Sequence, residues 1–229
     1  MTPSRSSLEA VGAYASEERE GVIESGEGLA VAVDPLDGSG NLASNNGLGT
    51  VLGIYDGSLP AAGDELVAAA TITYGPTTMM VTAYDGTVTE YLLDGGTATA
   101  RRSDVTIPAD PEIFALGGRE WEWDEGFRTF AEAVRNEYKL RYTGAVIMDL
   151  NRILANGGVY AYPAVKSHPR GKPRHQFEAV PIGYIVESAG GASSDETGSL
   201  LDSSVDSLHA RSPLCIGNES LVAQFEANR

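Results

Sequence analysis

One stretch, Leu29-Ala-Val-Ala-Val-Asp34-Pro-Leu-Asp37-Gly38-Ser39-Gly40-Asn41, joins an apolar run to two carboxylates and a glycine-rich turn. The five small apolar residues predict a buried strand. Carboxylates at the end of a buried strand are costly unless a cation offsets their charge, and carboxylate oxygens suit Mg²⁺, Ca²⁺ or Mn²⁺. Because Pro35 disfavours helix at Asp34, both aspartates are expected at the carboxyl end of the strand.

The glycines that follow predict an anion site. Gly38-Ser39-Gly40 lets the backbone curl, and consecutive N–H groups in such a turn bind phosphate. A metal site beside a phosphate site is what metal-assisted hydrolysis of a phosphate ester requires. The alternative is a surface turn, since Asp-Pro and Asp-Gly are common turn dipeptides. The apolar strand and the nearby acidic pair Glu17-Glu18 favour the metal site.

The composition argues against several classes of protein. The 229 residues contain no apolar run long enough to span a membrane and no recognisable signal peptide, so a cytoplasmic location is expected. A single cysteine, Cys215, excludes an internal disulfide and a cysteine zinc cluster. The net charge of −16 argues against nucleic acids and anionic membranes as partners.

The balance of charged residues indicates adaptation to high salt. The 32 acidic residues stand against 13 arginines and only three lysines. In concentrated salt the self-repulsion of such a surface is screened, and its carboxylates keep it solvated. The alternative is an ordinary acidic protein.

The chain divides into two halves of different pattern. Residues 50–55, 66–74 and 79–84 are rich in Val, Thr and aromatics and predict strands, and Asp85-Gly86 predicts a hairpin to residues 87–92. Gly, Pro and Asp are dense over 94–111, which places a seam between halves 1–105 and 106–229. In the second half, apolar spacing predicts helices over 125–136, 144–155 and 180–189 and a strand over 158–162.

The motif from Asp34 to Asn41, after Ser16-Glu-Glu18, resembles the metal motif of the fructose-1,6-bisphosphatase family, within the lithium-sensitive sugar and inositol phosphatase superfamily. Further family motifs follow in order: Arg141-Tyr-Thr-Gly144, Asn156-Gly-Gly158, Tyr160-Ala-Tyr-Pro163, Gly171-Lys-Pro-Arg174, Phe177-Glu178 and His209-Ala-Arg211. The resemblance implies a layered αβαβα sandwich of two α/β halves with the site between them. Family members usually carry N-terminal helices and a mobile loop before Ser-Glu-Glu, whereas only 13 residues precede Tyr14 here, so a wrongly assigned start, a fragment and a trimmed lineage all stay open.

The resemblance also implies a metal site that holds two or more Mg²⁺ ions, with Mn²⁺ as a possible substitute. Glu17, Asp34, Asp37 and Glu178 match the family's metal ligands, together with the carbonyl of Leu36. Glu18 matches the carboxylate that activates water, so the implied catalytic set is Glu17, Glu18 and Asp37.

Substrate contacts are implied in the same way. Gly38, Ser39 and Gly40 match the cradle for the 1-phosphate; Tyr142, Tyr162 and Lys172 match sugar- and phosphate-binding residues. Arg141 matches an arginine that reaches the 6-phosphate of a neighbouring subunit, which implies a homo-oligomer, a dimer or tetramer. The family's Asn-Glu-Gly-Tyr motif is matched to Asp124-Glu-Gly-Phe127, so Asp124 is expected near the second phosphate.

The function implied by the resemblance is Mg²⁺-dependent hydrolysis of the 1-phosphate of fructose 1,6-bisphosphate, in gluconeogenesis. Two alternatives stay open. One keeps the chemistry but takes sedoheptulose 1,7-bisphosphate or a sugar or inositol monophosphate as substrate. The other is a truncated, inactive homologue that acts only as a binding partner. His168, His175 and His209 are interpreted as structural or surface residues, because none has metal-pair spacing with another His or Cys.

Overall fold

Two β-sheets and four α-helices make up the computed structural model, which describes residues 10–229. The strands are β1 (Val11–Ser16), β2 (Val22–Glu24), β3 (Leu29–Asp37), β4 (Leu48–Tyr55), β5 (Leu66–Tyr74), β6 (Thr78–Tyr84), β7 (Thr87–Asp94), β8 (Thr97–Arg102), β9 (Ile113–Leu116), β10 (Lys139–Leu140), β11 (Gly158–Tyr162), β12 (Ala192–Ser194) and β13 (Leu214–Gly217). The helices are α1 (Glu125–Glu137), α2 (Val146–Asn156), α3 (Val180–Ser188) and α4 (Glu219–Glu226). None of these helices is long and apolar enough to cross a membrane.

The large sheet has the strand order β2-β1-β3-β4-β5-β6-β7-β8. Its neighbours are antiparallel except for β1 and β3, which are parallel. The small sheet has the order β10-β9-β11-β13-β12 and is mixed, with β9 parallel to both β10 and β11. The second sheet begins after Arg102, so the two sheets follow one another along the chain.

The elements stack in layers, as expected for a mixed α+β sandwich. Helices α2 and α3 pack between the two sheets, whereas α1 and α4 contact the small sheet. The layers bury a continuous core whose largest side chains are Tyr55, Phe127, Phe130, Phe177, Phe225, Ile147, Leu150, Ile153, Leu154, Ile182, Ile185 and Leu200. The other face of the large sheet carries half-buried residues such as Val31, Leu52 and Ile72.

Most predicted elements are present with shifted ends, and the hairpin prediction is confirmed. Asp85 and Gly86 join β6 to β7 with φ angles of 48° and 69°, as a tight turn that suits the strand twist requires. One strand falls where the sequence predicts a seam: β8 occupies part of the segment 94–111. Its residues are exposed on both faces, so its sequence shows no alternation of apolar and polar positions.

Candidate active site

The aspartates lie at the end of β3, as the sequence predicts. The pairing of β3 with β4 shifts register between Asp34 and Asp37, and Pro35, which has no N–H to donate, occupies this irregularity. Asp34 Oδ1 accepts a hydrogen bond of 2.8 Å from the Leu36 N–H. Asp37 Oδ2 accepts one of 3.0 Å from the Ile147 N–H, in the first turn of α2. Both carboxylates are therefore fixed in place and buried.

The next residue turns the chain sharply against α2. Gly38 has a φ of 79°, and a Cβ at this position would lie 2.4 Å from the Cβ of Ala145. Only glycine fits this close approach without strain. The turn then enters a 3₁₀-helix, Ser39–Ser44, whose first N–H groups have no partner within the helix. The Asn41 side chain donates to the Thr143 carbonyl at 3.0 Å and ties this turn to the loop before α2.

Glu178 comes from the other half of the chain. It lies in a single π-helical turn, His175–Ala179, directly before α3. Gln176 anchors this turn to the large sheet: its carbonyl accepts from the Tyr55 hydroxyl at 2.9 Å, and its side-chain oxygen accepts from the Ala61 N–H at 2.8 Å. Such local π-turns often occur at functional sites, and this one brings the Glu178 carboxylate to the end of β3.

Three carboxylates converge as a result. Oxygen atoms of Asp34, Asp37 and Glu178 all lie within 4.8 Å of one another. Burial raises the pKa of Asp34 to about 7 and that of Asp37 to about 6. Burial, and then the charge of Asp37, raise the pKa of Glu178 well above its usual range. Without a cation these groups repel one another, so the arrangement suits a divalent metal ion with oxygen ligands.

The other acidic residues lie at the wall of the same cleft. Glu17, at the end of β1, accepts a 2.8 Å hydrogen bond from Arg174 Nε in a half-buried ion pair. Glu18 is exposed and Leu36 is half-buried, and both line the cleft. The structure thus brings all the predicted metal ligands to one cleft, with Asp34, Asp37 and Glu178 in the closest group.

The cleft has a volume of about 290 Å³ and also contains most of the predicted substrate-binding residues. Gly38, Ser39 and Gly40 line one side, while Tyr142, Tyr162 and Lys172 line another. Lys172 Nζ lies 5.7 Å from the centre of the Tyr162 ring, where cation and ring attract each other. The cleft therefore places a curled backbone, five carboxylates and a lysine around one space.

Two predicted residues lie elsewhere, and the interpretation of Asp124 needs correction. Asp124 is the N-cap of α1: its carboxylate accepts a 2.7 Å bond from the Phe127 N–H and pairs with Arg229 at 2.9 Å. Phe127 is fully buried in the core, so this segment begins a helix and does not line the cleft. Arg141 is exposed beside β10, and its Nη1 donates to the Leu140 carbonyl.

The structure adds residues that have no predicted role. Tyr160, Val146, Pro173 and Arg211 line the cleft, and all except Val146 lie in or next to motifs that carry the family resemblance. Asp149 is a further buried carboxylate: Oδ2 accepts from the Thr143 N–H at 3.3 Å, and burial raises its pKa to about 6. A carboxylate within the apolar pattern of α2 is the signal that could have revealed it.

Comparison with known proteins gives the same assignment along almost the whole chain. Residues 4–100 match the family model described as the fructose-1-6-bisphosphatase N-terminal domain, and residues 107–229 match that of the C-terminal domain. A class 1 fructose-1,6-bisphosphatase of Natronomonas pharaonis is 52% identical over 96% of this chain and 79% of its own. One from Methanocorpusculum labreanum is 37% identical over 96% of this chain and 69% of its own.

Solved structures agree with these matches. The Leishmania major fructose-1,6-bisphosphatase in its T-state superposes with a TM-score of 0.90 at 28% identity, covering 97% of this chain and 78% of the other. Its holo form gives the same TM-score at 30% identity, covering 96% and 77%. The chain therefore belongs to the fructose-1,6-bisphosphatase family.

Proposed function

We propose that this chain hydrolyses the 1-phosphate of fructose 1,6-bisphosphate and releases fructose 6-phosphate and phosphate, as in gluconeogenesis. The observation that carries the proposal is the convergence of Asp34, Asp37 and Glu178 beside the turn 38–40. Relatives from Natronomonas pharaonis and Halobacterium salinarum, each 52% identical, carry the name fructose-1,6-bisphosphatase class 1. Their haloarchaeal origin also fits the acidic, lysine-poor composition.

The proposed cofactor is Mg²⁺, two or more ions per site, with Mn²⁺ as a substitute. Carboxylate and carbonyl oxygens suit both ions. Asp34, Asp37 and Glu178 would hold them, with Glu17 and the Leu36 carbonyl at the same cleft. When bound, such ions neutralise phosphoryl oxygens and lower the pKa of water.

Residues of the chain itself would bind and orient the reacting groups. Ser39 and Gly40 line the cleft at the start of a helical turn, where N–H groups without a partner in the helix would favour an anion such as the 1-phosphate. Glu18, which is exposed and lines the cleft, would accept the proton of the attacking water. Arg174 holds Glu17 in position through its 2.8 Å ion pair. The hydroxyls of Tyr142 and Tyr162 and the Lys172 ammonium would bind the sugar and its second phosphate.

A homo-oligomer, a dimer or tetramer, is part of the proposal. The edge strand β10 of the small sheet leaves Leu140 58% exposed, with Arg141 exposed beside it. An open strand edge with an exposed apolar residue favours contact with another copy, and Arg141 would enter the neighbour's cleft there. Halves 1–105 and 106–229 are the proposed domains, and a cytoplasmic location stays a prediction of the sequence.

The test is phosphate release by the purified chain in molar KCl with Mg²⁺. Fructose 1,6-bisphosphate should be hydrolysed faster than sedoheptulose 1,7-bisphosphate, sugar monophosphates or inositol 1-phosphate, and EDTA should abolish the reaction. Faster hydrolysis of a monophosphate would favour the alternative substrates. Release from none of these compounds would favour the inactive homologue and overturn the proposal.

A further inference from the structure

A second cleft adjoins the first. Its volume is about 380 Å³, and it shares three lining residues, Tyr142, Tyr162 and Lys172, with the carboxylate cleft. The remaining lining residues are Gly118, Arg119, Glu122, Ser167 and His168. A substrate bound over the carboxylates can therefore extend past the two tyrosines into this second space.

The loop after β9 carries Arg119 into this cleft. A Cβ at Gly117 would lie 2.0 Å from Cδ2 of Tyr162, so the glycine lets the backbone pass directly against that ring. Gly118 has a φ of 84°, in the left-handed region that glycine adopts freely. The Trp123 indole N–H donates to the Gly117 carbonyl at 3.0 Å and fixes the loop. Arg119 follows directly on a rigid turn.

The second cleft is cationic in a strongly acidic protein. Arg119 and Lys172 both line it, and within residues 10–229 Arg119 makes no ion pair. Glu122 is buried and accepts a 3.0 Å bond from the Ser167 N–H. Hydrogen bonds from Ser167 lower the pKa of Glu122, and the charges of Arg119 and His168 contribute in the same direction. The guanidinium of Arg119 is thus available to an external anion.

We propose that Arg119 binds the second phosphate of the substrate from within the same chain and so determines the preference for a bisphosphate over a monophosphate. The inference rests on the proposed function. A guanidinium matches a phosphate with two parallel N–H···O bonds, which are stronger than neutral hydrogen bonds. Arg119 is thus a specificity residue distinct from Arg141, which lines another part of the surface with Lys139 and Arg152.

The first test uses binding, so that it does not depend on catalysis. Fructose 6-phosphate, which carries only the second phosphate, is titrated into the metal-free full chain and the heat of binding is measured. Arg119→Gln should weaken binding about tenfold or more, and Arg119→Lys should recover part of the loss. Arg101→Gln, an exposed arginine on β8, is the matched control and should bind like the wild type. Equal binding by Arg119→Gln, or none by the wild type, overturns the proposal.

The second test separates Arg119 from the chemistry. With Mg²⁺, Arg119→Gln should raise KM for fructose 1,6-bisphosphate about tenfold, change kcat by less than about twofold, and leave hydrolysis of fructose 1-phosphate unchanged. An unchanged KM, or a parallel loss with fructose 1-phosphate, overturns the assignment of Arg119. If the wild type hydrolyses neither compound, the proposed function fails, and the fructose 6-phosphate titration still decides the role of Arg119.

Discussion

The two adjoining clefts are built in opposite ways. The carboxylate cleft depends on one short segment, 34–40, which Glu178 and the start of α2 complete. The second cleft is assembled from loops that lie far apart in the sequence, around Gly118, Tyr142 and Lys172. The first is anionic and holds its key groups buried and hydrogen-bonded, whereas the second is cationic and more open. Two of the three carboxylates and the glycine turn are therefore encoded locally, whereas Glu178 and the residues for substrate preference depend on tertiary structure.

The largest expected effect comes from Asp37→Asn. The variant removes one anionic ligand but keeps an oxygen that accepts from the Ile147 N–H, so the fold should persist. We expect kcat for fructose 1,6-bisphosphate to fall by orders of magnitude at saturating Mg²⁺, because the metal site loses charge. Asp94→Asn, at the exposed end of β7, is the control and should keep full activity. Near-normal turnover of Asp37→Asn would show that the carboxylate cleft is not the reaction site.

A substitution in the turn tests how closely the first cleft is packed. Gly38→Ala adds a Cβ that meets Ala145 at 2.4 Å and also strains a φ of 79°. We expect the free energy of unfolding to fall by roughly 2–4 kcal/mol. Gly86→Ala has a similar φ of 69° but open space around it, so it should cost only about 1 kcal/mol. If urea denaturation shows the same loss of unfolding free energy in both variants, the contact with Ala145 contributes nothing to the cost.

The raised pKa values of the buried carboxyl groups predict that the stability of the metal-free chain depends on pH. Between pH 4 and 7 the folded chain binds more protons than the unfolded chain, since burial raises the pKa of Asp34 from 3.8 to about 7. Without metal, the free energy of unfolding should therefore fall as the pH rises through this range. Mg²⁺ should stabilise the chain more at pH 8 than at pH 5, where protons compete for the same oxygens.

The control is the double variant Asp34→Asn with Glu178→Gln. In this variant the free energy of unfolding should change less with pH than in the wild type. Melting temperatures in EDTA and in Mg²⁺, at fixed KCl concentration, measure both effects. Two results would contradict the raised pKa values of Asp34 and Glu178. One is a stability that rises between pH 4 and 7 in EDTA; the other is a double variant whose stability depends on pH as strongly as that of the wild type.

The smallest expected effect is at Asp124, which lies outside both clefts. Asp124→Ala should lower the free energy of unfolding by about 1 kcal/mol, because α1 loses its N-cap and Arg229 loses a partner. Asp124→Asn keeps a capping oxygen and should cost less. Neither variant should change KM for fructose 1,6-bisphosphate. A lower KM in Asp124→Asn would show that Asp124 lies beside the second phosphate of the substrate.

The reaction class could be predicted from the sequence because two metal ligands and the phosphate-binding turn are adjacent in it. Asp34, Asp37 and the glycine turn follow one apolar strand, so strand and turn patterns alone place them together. The role of the segment around Asp124 could not be obtained in that way, since motif similarity does not distinguish a phosphate-binding loop from a helix N-cap. Arg119 was also beyond sequence reasoning, because its position depends on Gly117 packing against Tyr162, 45 residues further along the chain.

Direct binding of Mn²⁺ tests whether Asp34, Asp37 and Glu178 form a metal site. Free Mn²⁺ is measured by its paramagnetic resonance signal during titration of the full chain at pH 8 in molar KCl. We expect the wild type and Asp124→Asn to bind Mn²⁺ alike, and Asp37→Asn and Glu178→Gln to bind it at least about tenfold more weakly. Equal binding by all four proteins, or no binding by the wild type, would contradict the assignment of this metal site.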